Sequence, residues 1–411
     1  MDTDKTRVYV ERSNSSPIEL SLCWDNGQLC PNSFLMVASN VTRRLRHLSI
    51  RGAPGQLRWT TCHLSCHAPL LEELSVTSHG EEPHHDPTLK PAFFKGDLSS
   101  LRKLHLEFVR TNLPWRDMVN LTSFTLTGTP PDSIKQLLDF FESAPHLRNL
   151  EIRSATPVIG GQNGRLVSLG RLKRMYIDGI MPVSPLLGHL LIPVGACFKA
   201  EVNLPSAPIG DHLPRFLDNL RNLPGFTAVQ LYGQVECPRM RFSGPNGRVE
   251  MLPIFAQLIA PWSTLECFAR FDTSKTERLE IRNCGPSTDD PPRRMFSPMG
   301  DLRTLTLYEC RKLRIFIHAL DPRKSSPVLI CPKLEELTIV LGNEAFDMKS
   351  LIGMAAARAS WGAKLDSVWI FGWCEAARAV VSELEKHVSH VEYNPEALRL
   401  DNDGDDSDEE I

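Results

Sequence analysis

The chain has 411 residues, 42% of them hydrophobic and 23% charged, with a net charge of −3. These are the proportions of a folded globular protein, and no apolar run approaches the roughly 20 residues that a membrane span needs. Charge is concentrated in the tail Asp401–Ile411, whose seven acids, set aside, leave +4 over residues 1–400, so neither a basic nucleic-acid face nor an acidic body is implied.

Met1-Asp-Thr-Asp-Lys-Thr-Arg7 lacks the apolar stretch of a signal peptide, so the expected compartment is cytoplasmic or nuclear. In such a compartment an odd number of cysteines, 11, argues against a disulfide framework. The sequons at Asn14, Asn40 and Asn120 then carry no weight.

Residues 1–17 read as the end of an N-terminal helix and a lead-in to the first strand, Ile18-Glu-Leu20-Ser-Leu22, where apolar and polar residues alternate. A six-residue phrase follows, Leu45-Arg-His-Leu48-Ser-Ile50, and recurs with first positions at 71, 101, 121, 147 and 172, in steps of 26, 30, 20, 26 and 25 residues. Later copies begin at 226, 276, 302, 334 and 365, and Val388-Ser-His-Val391-Glu-Tyr393 ends the series. The gap from 172 to 226 hides a strand near Ala196–Leu204, and the gap from 226 to 276 reads as two repeats with one degenerate.

The alternating end of each phrase is a short strand, and helices belong between the phrases. Ser133-Ile-Lys-Gln136 has capping-box spacing and opens a stripe of Ile134, Leu137, Leu138 and Phe141, spaced for one face of a helix. Ala68-Pro69-x-Leu71, Ala144-Pro145-x-Leu147 and Cys331-Pro332-x-Leu334 punctuate the start of three phrases. Three positions past the phrases stand Ala53, Val109, Thr129, Ala155, Ile180, Cys284 and Cys310, and only the two cysteines match the Asn or Cys expected there. Two segments break the pattern. In an irregular insertion at 236–270, Arg239–Phe242 and Arg248–Leu252 flank a turn cluster suited to a hairpin, and 285–300, with Asp289-Asp290-Pro291-Pro292, reads as an exposed loop. Residues 397–411 read as a disordered acidic tail.

A fixed apolar phrase at a near-fixed period is the mark of a leucine-rich repeat. The predicted fold over 18–396 is therefore an α/β solenoid of roughly 13–14 repeats. It would be an irregular horseshoe with parallel strands on the concave side and helices on the convex side.

The stretch Tyr9-Val-Glu-Arg-Ser-Asn-Ser-Ser-Pro17-Ile-Glu-Leu-Ser-Leu22 and the phrases at 68–74, 144–150 and 331–337 resemble the repeat region of fungal F-box/leucine-rich-repeat proteins. In that family an F-box of roughly 45 residues precedes the repeats and docks a Skp-type adaptor of a cullin ubiquitin ligase. Only about six residues precede the resemblance here, so the F-box is expected to lie outside this chain. The resemblance implies a substrate-recognition region of a ligase receptor, with a Skp-type adaptor as partner only if such an F-box exists.

Candidate chemistry is sparse. Cys62-His63-Leu-Ser-Cys66-His67, with His79, His84 and His85 nearby, has no second cysteine pair to complete a zinc set and reads as a segment with small apolar cysteines. His387 and His390 find no third ligand, and Gly160-Gly-Gln-Asn-Gly164 lacks the Lys-Ser/Thr ending of a phosphate loop. Asp401-x-Asp-Gly-x-Asp misplaces the glycine of a calcium loop. Ser407, before Asp408-Glu409-Glu410, is a candidate phosphorylation site. No metal, cofactor or catalytic residue is expected.

If the strands line a concave face, the polar positions of the phrase point into it, because side chains alternate along a strand. Candidate binding residues are Arg174, Tyr176, Arg278, Arg282, Tyr308, Trp369 and Phe371, of which the tyrosines, arginines and Trp369 are the types that dominate interface hot spots. The competing reading packs Trp369 and Phe371 under a C-terminal helix as a cap. The expected function is non-enzymatic protein recognition by a monomer, with no nucleic-acid or membrane partner. The alternatives are a repeat protein with no ligase link and an enzyme with an unrecognised site.

Overall fold

The computed structural model describes residues 8, 10–24, 41–64, 67–79, 88–89, 94, 98–111, 118–128, 133–153, 165–179, 184–202, 226–232, 239–244, 247–253, 273–285, 290–324, 329–342, 348–372 and 377–396. The chain divides into two compact units, Met1–Asn203 with His212–Asn222, and Leu204–Asp211 with Leu223–Ile411. Both are α/β structures built on parallel strands.

In the first unit the strands are β1 (Ile18–Cys23), β2 (Leu45–Gly52), β3 (Glu73–Ser78), β4 (Thr88–Leu89), β5 (Lys103–Glu107), β6 (Arg110–Thr111), β7 (Ser123–Thr127), β8 (Asn149–Arg153), β9 (Val167–Ser168), β10 (Arg174–Gly179), β11 (Leu190–Leu191) and β12 (Cys197–Val202). A parallel sheet runs β1-β2-β3-β5-β7-β8-β10-β12. Its register follows the phrase. Leu48, Leu74, Leu104, Phe124, Leu150, Met175 and Phe198 form one buried row, and Ile50, Val76, Leu106, Leu126, Ile152 and Ile177 form the next. Each such side chain removed from water contributes roughly 1.5–3 kcal/mol, so the rows hold the strands in register.

The turn before each strand is equally regular. Leu71 N–H donates to Ala68 O, Leu101 to Leu98, Leu121 to Met118, Leu147 to Ala144 and Leu172 to Leu169. Only two of these five turns carry the proline that marks them in the sequence. The others form from Ser99, Val119 and Gly170 at the same place, because the buried leucine closing the turn is common to all. Helix α1 (Pro54–His63) starts with proline at its first position, and α2 (Ile134–Ser143) is capped as expected, Ser133 Oγ accepting from Gln136 N at 3.2 Å. A short α3 spans Ser184–Leu187. The sequence predicts helices between all phrases; four of these segments also hold short strands, which form two small parallel pairs, β4 with β6 and β9 with β11, the last after α3.

In the second unit the strands are β13 (Ala228–Tyr232), β14 (Arg239–Gly244), β15 (Gly247–Pro253), β16 (Arg278–Arg282), β17 (Thr304–Tyr308), β18 (Glu336–Val340), β19 (Ser367–Phe371) and β20 (His390–Asn394). They run β15-β14-β13-β16-β17-β18-β19-β20, parallel from β13 onward and antiparallel within β13-β14-β15. The buried rows here are Val229, Leu279, Leu305, Leu337 and Val368, and beside them Leu231, Ile281, Leu307, Ile339 and Ile370. Helices α4 (Asp290–Phe296), α5 (Leu313–Leu320), α6 (Met348–Ser360) and α7 (Ala377–Leu384) pack in succession, α4 on α5, α5 on α6 and α6 on α7.

Two expectations are corrected. The 226–276 gap does not hold an extra repeat between two phrases, since β13 pairs residue for residue with β16 and leaves no place between them for another strand. The intervening chain instead forms the β14–β15 hairpin, on the other edge of β13. The loop expected at 285–300 contains α4, whose Met295 and Phe296 are fully buried. Its prolines, read as loop residues, stand in the first turn, where a missing N–H breaks no helical hydrogen bond.

A left-handed residue follows several strands: Phe108 after β5, Gly128 after β7, Asn283 after β16, Glu309 after β17 and Gly372 after β19. Each donates its N–H to the next strand's end, as Gly128 does to Arg153 O at 2.8 Å, so the ladder continues through the turn. Gly128 adds a steric constraint, because a Cβ there would fall 2.2 Å from the Phe108 ring. Gly128→Ala should destabilise the first unit by about 1–2 kcal/mol, with the Phe108→Ala background recovering the steric part; urea unfolding of both variants checks it.

Candidate functional site

The residues between the buried rows turn to the opposite face of each sheet, as strand alternation requires. In the first unit they form aligned polar rows. Along the first, Glu19 Oε1 lies 3.0 Å from His47 Nδ1, His47 Nε2 is 3.9 Å from Glu73 Oε1, and Lys103 Nζ is 2.7 Å from the same Glu73 oxygen. The next row, Ser21, Ser49, Ser75, His105 and Thr125, is mostly small hydroxyl residues. The short side chains leave an open cavity of about 410 Å³ along β1–β7, bounded by the charged row.

Farther along the same face, Tyr176 on β10 is flanked by two cations from neighbouring strands. Arg153 lies 5.0 Å and Lys199 5.6 Å from its ring centre. Arg153 also bonds the carboxylate of Glu151. Arg174, two residues before Tyr176, stands exposed on this face.

The second unit repeats the chemistry more tightly. Arg282 on β16 lies between two tyrosines, 5.1 Å from the Tyr232 ring and 5.4 Å from the Tyr308 ring, and bonds Glu280. Gln230 Nε2 donates to Glu280 Oε2 at 2.9 Å, and Arg241 Nη1 to Gln230 Oε1 at 3.4 Å. The Arg282 side chain is 16% exposed where that of Arg153 is 51% exposed. Desolvation strengthens a cation over a ring from about 0.5–1 to about 2 kcal/mol, so Arg282 is the better-anchored guanidinium.

Beyond Tyr308 the same edge row continues with Val340 and Phe371, and Trp369 sits in the row beside it. In β19 the buried residues are Val368 and Ile370, whereas Trp369 and Phe371 are half-buried on the other face. The pair thus belongs to the face of Tyr308 and not to a cap beneath a helix. The Trp369 Nε1–H is shielded from solvent and has no hydrogen-bond partner among the described residues.

Of the seven sequence candidates, the structure joins Arg282 to Tyr308, and places Trp369 and Phe371 on the same face. Arg174 and Tyr176 share β10, and Arg278 is exposed at the start of β16. Sequence reasoning missed Tyr232 and Lys199 as site residues, while Arg153 and Glu280 fall at the face positions that strand alternation gives. Tyr232 carried a usable signal, since it occupies the same place after Phe226-x-x-Val229-x-Leu231 as Tyr308 does after its own phrase. Ser407, the 397–411 tail, Cys66, His84, His85 and Gly160–Gly164 lie outside the described residues.

The buried cysteines are not reactive groups. Burial pushes the Cys284 and Cys331 thiols up to about 12, and raises Cys310 as well, with neighbouring Cys284 adding to the effect. Thiols so far from ionisation are poor nucleophiles, and Cys310 Sγ instead donates to Ile281 O at 3.2 Å. Among the described residues no three His, Cys, Asp or Glu side chains gather as a metal site, and no helix is long and apolar enough to cross a membrane.

No protein-family model matches the chain, and no curated protein matches its sequence.

Proposed function

We propose that this chain is a leucine-rich-repeat solenoid that recognises other proteins through its exposed strand face and catalyses no reaction. The observation that carries this reading is the alternation of buried and half-exposed residues along the strands from β2 to β10 and from β16 to β19. The exposed rows run in register from strand to strand within each unit and present Tyr, Trp, Arg and Glu on a rigid backbone. Side chains so placed lose little freedom on binding, which is what a recognition surface requires.

The resemblance of Tyr9–Leu22 and the Pro-punctuated phrases to fungal F-box/leucine-rich-repeat proteins favours one version, the substrate-recognition region of a ubiquitin-ligase receptor. Affinity purification of the native gene product from its own cells tests it. A Skp-type adaptor and a cullin should co-purify in stoichiometric amounts. Their absence, with a discrete client still present, would remove the ligase link and leave a recognition protein of another kind.

A further inference from the structure

Three aromatic centres stand on the exposed strand faces, and two of them are complete. Tyr176 has Arg153 and Lys199 against its ring, with Glu151 holding Arg153. Tyr232 and Tyr308 hold Arg282 between them, with Glu280 as its counter-ion. Each centre therefore combines an aromatic ring, a carboxylate and a cation, and the cation comes from the chain itself.

The third centre, around Trp369, has no such cation among the described residues. In the sheet register Trp369 lies directly opposite Thr338 on one side and Glu392 on the other, and Glu336 is diagonal to it across β18. With strands about 4.8 Å apart, the two glutamates stand on strands to either side of Trp369, within side-chain reach of it. The face positions of β17–β20 are Thr304, Thr306, Tyr308, then Glu336, Thr338, Val340, then Ser367, Trp369, Phe371, then His390, Glu392, Asn394. None is Lys or Arg. The nearest arginine before them in chain order, Arg303, is bound to Glu335 at 3.0 Å. His390 meets the indole edge-on at 5.3 Å, and its Nε2 is 3.8 Å from Glu392. It can neutralise one carboxylate only when protonated, and Glu336 then remains.

We infer that the β17–β20 face binds a segment of a partner protein that presents a lysine or arginine side chain over Trp369, between Glu336 and Glu392. This rests on the recognition reading above and specifies the partner's chemistry. The partner's cation would occupy the place that Arg282 fills for the tyrosines. Phe371, two residues along β19, would flank it with apolar surface. A cation so held gains from both ring and carboxylates.

The test follows the Trp369 indole N–H resonance of the full chain, assigned with Trp369→Phe, while ten-residue peptides of alternating Gly-Arg, Gly-Glu or Gly-Ser are titrated. The Gly-Arg peptide should shift it saturably, the other two should not, and Glu336→Gln with Glu392→Gln should weaken the Gly-Arg peptide at least about tenfold. Glu392 is exposed and Glu336 half-exposed, so the variant should keep the wild-type methyl spectrum. A Trp369 signal unmoved by the Gly-Arg peptide overturns the inference, as does equal binding by the double variant. A shift by the Gly-Glu or Gly-Ser peptide alone overturns the basic partner yet keeps the face as a binding surface. That outcome separates this inference from the recognition reading beneath it.

Discussion

Truncating Arg358 to alanine is expected to destabilise the second unit by about 2–5 kcal/mol, because two buried carbonyls lose their donor at about 1–3 kcal/mol each. Arg358 lies on α6 with no solvent exposure. Its Nη1 donates to Ile330 O at 2.9 Å and its Nη2 to Cys331 O at 2.7 Å. Those carbonyls belong to the bend before β18, where Cys331 adopts a left-handed backbone with φ of 48°. A left-handed non-glycine residue is strained, and the guanidinium ties down the carbonyls on either side of it. Burial lowers the Arg358 pKa without removing its charge at neutral pH. Arg358→Met keeps most of the volume but restores neither hydrogen bond, so it should recover only part of the loss. Urea unfolding followed on the second unit measures both, and a change below about 1 kcal/mol for Arg358→Ala would contradict the role assigned to the side chain.

The second large effect is expected in the buried row of the first unit. Phe124 on β7 is 1% exposed and lies 4.5 Å, centre to centre, from Phe140 of α2. Phe124→Ala removes a ring that joins strand to helix and should cost about 3–5 kcal/mol. Thr125, the next residue, faces the other way with a weak 3.3 Å hydrogen bond to Glu151, and Thr125→Ala should change stability by no more than about 0.5–1 kcal/mol. The contrast between neighbours tests whether the two faces of the strand do different work. Equal losses would mean the exposed face also holds the fold.

Much of the strand ladder was legible because each rung needs an apolar residue at the same place. Leu74 must meet Leu48 and Leu104, so an apolar phrase recurs at most rungs. Ser133 was legible for a similar reason, since a cap acts on its own first turn. The hairpin β14–β15 was visible as a hairpin, but its position was not. Periodicity along the chain does not record which edge of β13 receives β14. That also hid the Arg282 sandwich, where Tyr232 and Gln230 meet Arg282 and Glu280 across 50 residues. Helix α4 was misread because prolines signal loops in most contexts and helix starts in one. Trp369 and Phe371 were left open between cap and binding face, and burial of Val368 and Ile370 separates the two readings.

The proposed function places partner contact on the exposed strand face and not on the helical side. A photo-crosslinking amino acid placed in cells at Thr306 on β17, or at exposed Lys349 on α6, compares the two directly. A discrete adduct of one partner is expected at Thr306, abolished by Trp369→Ala, and none at Lys349. The same adduct at Lys349 with none at Thr306 would contradict it.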